Sequence, residues 1–314
     1  MISYVLKRLM NLMVVALGVS LLTFSLGFFA PGDAAEIKLK QTGIEPSAQL
    51  VAKVREEMGL NKPIYQQYLH WLGNALRGDL GISFRSGTPV AREMLVKLPA
   101  TVQLTGTSLL VLIGIAFPMG ILAAVYKGTW VDHLSRAAAL VGASLPSFWF
   151  SLLLIYFFAV KWSLLPVMGR GTLLHLVLPS LALGLGMAST YARFLRASIL
   201  EVLGQEFIMA ARARGLRERL VIVKDVLKNA LLSIVTLLGM SIGHLLGGAV
   251  IVETIFAWPG VGKYAVDAIF FRDYPVIQGY VLWMALIFVV ANLLVDISYH
   301  YIDPRIRLRR GSSH

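Results

Sequence analysis

Six apolar runs, at about 9–30, 103–126, 135–160, 175–194, 229–252 and 281–301, constrain this chain more than any other feature. Each is long enough to cross a ~30 Å hydrocarbon core as a helix of about 20 residues. In lipid every backbone polar group must be satisfied within the protein, so such runs read as helices. The sequence therefore predicts an all-α, polytopic membrane protein with six transmembrane helices. Composition agrees: 57% of residues are hydrophobic and 15% charged, against roughly 25% charged in a soluble domain. The first run follows Lys7 and Arg8, as in a signal peptide. It exceeds the 7–15 residues of a signal core and is read as an uncleaved span. Pro118, Pro146 and Pro179 lie within runs, where neighbouring helices can satisfy the freed carbonyls.

Small residues recur inside the runs: Gly142, Ala143 and Ser144, then Gly184 and Gly186, then Gly239, Gly243, Gly247 and Gly248. Gly239, Gly243 and Gly247 follow a small-xxx-small spacing, read as packing within the chain ahead of a dedicated dimer seam.

Lys and Arg in the short loops set the orientation. An inside N-terminus places Lys7/Arg8, Lys127/Arg136, the 193–228 loop and the Arg305/Arg307/Arg309/Arg310 tail in the cytoplasm. The short outer loops carry Lys161 with Arg170, and Lys263 with Arg272. Residues 31–98 are also basic, but they exceed the ~60-residue reach of the rule. Four segments follow: 1–30, the N-terminal cytoplasmic end and first span; 31–98, an extracytoplasmic helical loop; 99–302, the transmembrane core with a cytoplasmic loop at about 195–228; and 303–314, a cytoplasmic tail. The net charge of +12 has no basic block with interleaved aromatics, so it is topogenic and excludes a nucleic-acid partner. The chain has no Cys, which excludes disulfides and thiolate metal sites.

The 31–98 loop carries its own helix signals. Ser47 caps a helix over 48–58 that stops at Gly59; Pro63 opens another, with Tyr65, Tyr68, Leu69, Leu72 and Leu76 on one face and Gly78 after it. Thr88-Pro89 opens a third. Together they describe a helical cap on the outer face, where an external partner can dock.

The cytoplasmic stretch MAARARGLRERLVIVK, 209–224, interrupts the apolar pattern. Residues 201–214 have helix-forming composition, Ala210, Ala211 and Ala213 let another surface come close, and Gly215 breaks or turns the helix. Leu220, Val223 and Leu227 are spaced for one apolar face. Two short helices joined at a glycine make either a docking element or an amphipathic connector lying on the membrane.

Met209, Ala210, Ala211, Arg212 and Gly215 resemble the cytoplasmic signature of ABC-importer permeases, Glu-Ala-Ala followed by three residues and Gly. Met209 replaces the usual Glu, and Ser233 stands where a proline is common. In that family the loop is a coupling helix seated in a groove of the ATPase. The exit Pro31-Gly32-Asp33 and the stretches LGISF (80–84), LPAT (98–101), GASLPSFW (142–149), VETIFAWPGVGKYAVDAIFFRDYPVIQG (252–279) and NLLVDISYHYIDPRIR (292–307) resemble the oligopeptide/dipeptide/nickel permeases. IFAWPGVGKYAV, RDYPVIQ and FVVANLLVD look closest to nickel permeases. The resemblance implies the type I ABC-importer permease fold in a bacterial inner membrane, multi-pass, with both termini cytoplasmic. It implies a second homologous permease subunit, two ATP-binding subunits and an extracytoplasmic substrate-binding protein as partners, beside the lipid bilayer. The cargo it implies is nickel or a nickel chelate, with di-/oligopeptide or metallophore import as the alternative.

No cofactor is expected in this chain; ATP and Mg belong to the partner ATPases. Gly260-Val-Gly262-Lys263-Tyr264 lacks the upstream Gly and the Ser/Thr of a P-loop. Neither HExxH nor GxSxG occurs, which removes support for a metalloprotease or serine hydrolase. Phe256, Trp258, Pro259, Gly260 and Gly262 form an outer turn, with Gly260 and Gly262 supplying backbone shapes that other residues avoid. It is either a re-entrant gate or a rigid turn anchored by an interfacial Trp. Arg272 and Asp273 are read as a local exposed pair, and Asp296 as a functional acid or a partner of Arg305 or Arg193. His244, with Met240 one turn earlier, is a candidate pore contact for nickel or a packing residue. A stand-alone secondary transporter is the alternative class, with Asp296 as its single intramembrane acid; a membrane-embedded enzyme comes third.

Overall fold

The computed structural model describes residues 2–29, 31–230, 245 and 249–302. Apart from one isolated antiparallel bridge between Ile82 and Pro89, the regular structure among them is helical. In chain order the helices are α1 (Ile2–Phe29), α2 (Ala34–Gln41), α3 (Ala48–Glu57), α4 (Ile64–Leu76), α5 (Val90–Val125), α6 (Trp130–Ser144), α7 (Ser147–Leu154, continued by a π-helical stretch Ile155–Lys161), α8 (Leu174–Leu203), α9 (Glu206–Ala213), α10 (Glu218–Leu220, continued by a π-helical stretch Val221–Val226), α11 (Val261–Phe270) and α12 (Tyr274–Ile302). Residues 249–255 are also helical.

Among the described residues, α5 and α8 are each long and apolar enough to cross a membrane. Two further spans arise if each bent pair counts as one: Met13–Phe29 with Ala34–Gln41, bent by 75°, and Trp130–Ser144 with Ser147–Lys161, bent by 103°. The predicted span 281–301 lies within α12, while most of 229–252 falls outside the described residues.

Three sequence expectations are corrected here. Pro146 does not sit inside a continuous span: Leu145 before it is extended (φ −82°, ψ 125°), and a new helix starts after it. The proline Cδ clashes with an α-helical conformation at the preceding residue, which forces this break. Pro118 and Pro179, by contrast, lie within unbroken helices. Thr88-Pro89 does not open a separate loop helix; it starts the 36-residue α5, which runs into the second apolar run. The stretch 201–214 is not one helix, because α8 ends at Leu203 and α9 starts at Glu206. Asp33, read only as part of an exit signature, caps α2 by accepting from the Ala35 N–H at 2.9 Å and meets Arg55 at 2.5 Å.

The chain divides into two compact units. The first comprises residues 1–100 and 259–290. There Ala35 and Leu39 of α2 pack with Val54 of α3, and Val90 and Met94 of α5 pack with Val261, Ala268 and Val276. Ser47 accepts from the Leu50 N–H to cap α3, as the sequence predicts.

The second unit comprises residues 101–258 and 291–314. Its main core joins Leu112, Ala116 and Ala124 of α5 to Ala188, Leu195 and Ile199 of α8. Gly120 and Gly184 permit that approach: a Cβ on Gly120 would lie 2.8 Å from the Ala192 carbonyl, and one on Gly184 2.6 Å from the Ser108 carbonyl. This is small-residue packing within the chain. The Thr107 and Ser180 hydroxyls share a hydrogen bond of 2.7 Å across the same seam.

Candidate functional site

The loop after α8 is built on two short segments, α9 and the stretch continuing α10, that share the core of the second unit. α9 buries Ile208 and Ala211, three residues apart on one face, against Val221 and Val226. Phe207, Met209, Ala210 and Arg212 face outward, and Met209 is 57% exposed. Ala211 thus admits a neighbouring surface, but that surface is the chain's own; Ala210 and Ala213 are the alanines left exposed. The apolar face expected from Leu220, Val223 and Leu227 is also corrected: Val221 and Val226 are buried, while Leu220 and Val223 are exposed. The segment is π-helical, and its wider i→i+5 turn carries residues spaced for an α-helical face off that face.

Gly215 ends α9 in a Schellman motif. Its φ is +78°; its N–H donates to the Arg212 carbonyl at 2.9 Å, and Leu216 N–H donates to the Ala211 carbonyl at 3.4 Å. Glycine takes this left-handed position without the Cβ penalty. Arg212 then reaches across the turn to Glu218, with Nε–Oε2 at 3.1 Å and Nη2–Oε1 at 2.5 Å. That hydrogen bond holds the Glu218 carboxyl below, and the Arg212 guanidinium above, its ordinary range. A carboxylate depressed in the folded state stabilises above its unfolded pKa, and the contribution is lost as pH falls through the folded value. The protection of amides in 212–218, taken relative to their intrinsic exchange rate at each pH, should therefore fall on acidification below the usual glutamate range. The change should be small, since an exposed pair contributes about 0–1 kcal/mol.

The outer turn is divided between the units: Phe256 and Trp258 belong to the second, Pro259, Gly260 and Gly262 to the first. Phe256 and Trp258 are fully buried, so Trp258 is not an interfacial anchor exposed on this chain. The Phe256 carbonyl accepts from the Gly169 N–H at 2.8 Å, and the Arg170 guanidinium lies 5.7 Å from the Trp258 ring centroid. Arg170 also donates twice to the Gln103 side-chain oxygen, at 3.1 and 2.8 Å. Buried Glu253 accepts from the Thr101 hydroxyl at 2.6 Å.

Gly260 is extended and Gly262 is helical, so neither supplies the unusual backbone of this turn. Ala257 does, at φ 47°. It occupies the same Schellman position as Gly215, with Trp258 N–H donating to the Glu253 carbonyl and Ala257 N–H to that of Thr254. Sequence reasoning picks glycines for such places, and here an alanine holds one.

Arg272 and Asp273 do not pair with each other. Arg272, at φ 53°, is the left-handed residue ending α11, with its N–H on the Ile269 carbonyl and the Asp273 N–H on that of Ala268. Asp273 is buried, and its carboxylate accepts from the Ser83 hydroxyl at 2.5 Å, the Phe84 N–H at 3.0 Å and the Arg85 N–H at 3.3 Å. Two of the stretches singled out in the sequence, LGISF and RDYPVIQ, therefore meet at one carboxylate. Asp273→Ala leaves those donors without an acceptor, each worth about 1–3 kcal/mol when buried. The variant should open residues 80–90 to limited proteolysis at protease levels that spare the native protein.

Asp132 and Arg196 were missed as a pair. Asp132 Oδ1 and Oδ2 accept from Arg196 Nε and Nη2 at 2.7 and 2.8 Å, and Oδ2 also accepts from the Gly128 N–H at 3.0 Å. The Asp132 side chain is 2% exposed. A signal existed: Thr129-x-x-Asp132 just before an apolar run is a capping-box pattern, whose acid reaches back to the helix start. His244 and Met240 lie outside the described residues, as does the Asp296 side chain. Among the described residues no group of three or more His, Asp or Glu is placed to hold a metal ion.

Long apolar helices, with the short helix α9 sharing the core of α5 and α8, fit a component of a membrane transport system. The chain belongs to the family described as binding-protein-dependent transport system inner membrane component, whose model matches residues 116–308; the N-terminal model of the same family matches residues 1–105. It is thus a permease subunit of an ABC importer, not an enzyme, and ATP hydrolysis resides on separate ATPase subunits. It is 41% identical over 309 residues to the glutathione transport system permease protein GsiC of Escherichia coli K12, covering 98% of this chain and 100% of the relative. It is 39% identical over 343 residues to the dipeptide transport system permease protein DppB of the same strain, covering 99% and 100%. Among solved structures it is similar to a chain of the inward-facing MetNI methionine ABC transporter, with a TM-score of 0.57, 21% identity, and 67% of this chain and 96% of that one covered. A chain of an amino acid ABC transporter crystallised with histidines gives 0.56, 15%, 67% and 94%.

Proposed function

We propose that this subunit forms part of the translocation pathway for a short peptide, in the size range from dipeptide to glutathione, delivered by an extracytoplasmic binding protein. The observation that carries this reading is near full-length similarity to glutathione and dipeptide permeases at about two-fifths identity. The nickel expectation rested on short stretches and on His244 with Met240, and the matched relatives favour its alternative. A second homologous permease and two ATPases complete the assembly.

Coupling runs through α9. Its outer face offers Phe207, Met209 and Ala210 to an ATPase groove, while Ile208 and Ala211 belong to the same close-packed cluster as Leu112, Ala116, Leu195 and Ile199 of α5 and α8. Close-packed interiors transmit displacement rather than absorb it, so movement of α9 on ATP binding moves α5 and α8. Calorimetry on the binding protein made alongside this subunit tests the cargo. Saturable binding of glutathione or a dipeptide, with none of nickel, is the expected result; nickel binding without peptide binding would overturn it.

A further inference from the structure

We infer that α4 is not part of an aqueous cap but lies in the outer leaflet of the bilayer, against α1, with its apolar face in lipid. This goes beyond the transport reading and does not depend on the cargo.

The argument starts from depth. α1 ends at Phe29, where the first apolar run ends. Tyr68 and Trp71 of α4 pack on Phe24, with ring centroids 5.4 and 5.9 Å away, and the Tyr68 hydroxyl hydrogen-bonds Ser20 at 2.8 Å. At 1.5 Å per residue, Phe24 and Ser20 lie about 8 and 14 Å below the outer end of α1. Contacts at those positions hold α4 at the level of the acyl chains, not above them.

The sequence of α4 fits that place. Its 13 residues, IYQQYLHWLGNAL, contain no Asp, Glu, Lys or Arg. α2 and α3, by contrast, carry Glu36, Lys38 and Lys40, and Lys53, Arg55, Glu56 and Glu57. Lys62 and Arg77 bracket α4 at its two ends, where long basic side chains reach the headgroups. Around the helix, at 100° per residue, Tyr68 and Trp71 share the α1 side. Tyr65, Leu69 and Leu76 form the neighbouring sector, and Gln66, Gln67, His70 and Asn74 the opposite one. Leu69 is 61% exposed and Leu76 81%. On α1, exposed Leu21 flanks the Ser20 and Phe24 side that α4 covers, and Leu22 and Leu26 are exposed on the far side, so α1 too presents apolar side chains outward at this level. Tyr and Trp in such a helix are the side chains that membrane interfaces favour.

The chain contains no cysteine, so each label on it is single, and the assembly with the unsubstituted chain serves as the blank for its partners. Leu69→Cys and Leu76→Cys, with Glu57→Cys on α3 as a water-exposed reference, are spin-labelled in the assembled transporter in liposomes. Transport activity confirms assembly. Labels at 69 and 76 should collide with oxygen at least several-fold more than with a water-soluble nickel chelate, and the label at 57 should show the reverse. Preferential collision with the chelate at 69 and 76 would place α4 in water and overturn the inference. Low collision with both reagents would overturn it too, because the face would then be covered by another subunit.

Discussion

Arg196→Ala should destabilise the folded protein by about 3 kcal/mol, the lower end of the cost of breaking a buried ion pair by removing one partner. The Asp132 carboxylate, in the first turn of α6, is left buried with only the Gly128 N–H to meet it. Arg196 keeps some access to water, at 21% side-chain exposure, which puts the expected cost at that lower end. Arg196→Lys should recover part of the loss, since it restores the charge but not the two parallel hydrogen bonds. The double variant Asp132→Ala/Arg196→Ala should be less destabilised than the sum of the two single variants. Thermal unfolding of the purified subunit in detergent measures all four; additive losses would show that the pair contributes nothing as a pair.

Ala210→Trp should abolish transport and substrate-stimulated ATP hydrolysis in the assembled complex while leaving membrane level and thermal stability unchanged. Its Cβ lies on the outward face of α9, where the proposed ATPase groove closes. Ala211→Trp, one residue on, should instead lower folded yield, because Ala211 is 1% exposed within the main core. Overpacking a filled core costs about 1–3 kcal/mol or more. The two variants separate docking from folding at adjacent positions with the same substitution. Wild-type transport by Ala210→Trp would remove the docking role.

The helical class and most of the long helices were legible in the sequence because apolar length is a one-dimensional property. The ends were less so. Pro146 reads as tolerable inside a span until the backbone shows Leu145 driven out of the helix. Thr88-Pro89 carries a true helix start, but nothing local says that the helix continues through Pro99 into lipid. The loop was found through its alanines and Gly215, yet the pattern could not say which alanine is buried, since that depends on Ile208 and Ala211 packing with Val221 and Val226 in the folded chain. Asp273 was misassigned for a plainer reason: its three donors lie nearly two hundred residues earlier in the chain, and only the fold brings them to it. The Asp132–Arg196 pair is of the same kind, with a local capping signal for one member and none for its partner.

The central claim is that this chain moves a short peptide only as part of an ATP-driven assembly. It is tested most directly in liposomes holding this subunit, its partner permease and both ATPases, with ATP enclosed alongside the ATPase subunits and the binding protein on the opposite face. Labelled dipeptide or glutathione should accumulate on the ATPase side only when ATP and the binding protein are both present, and liposomes holding this chain alone should accumulate none. Uptake by the chain alone, without ATP, would contradict the account.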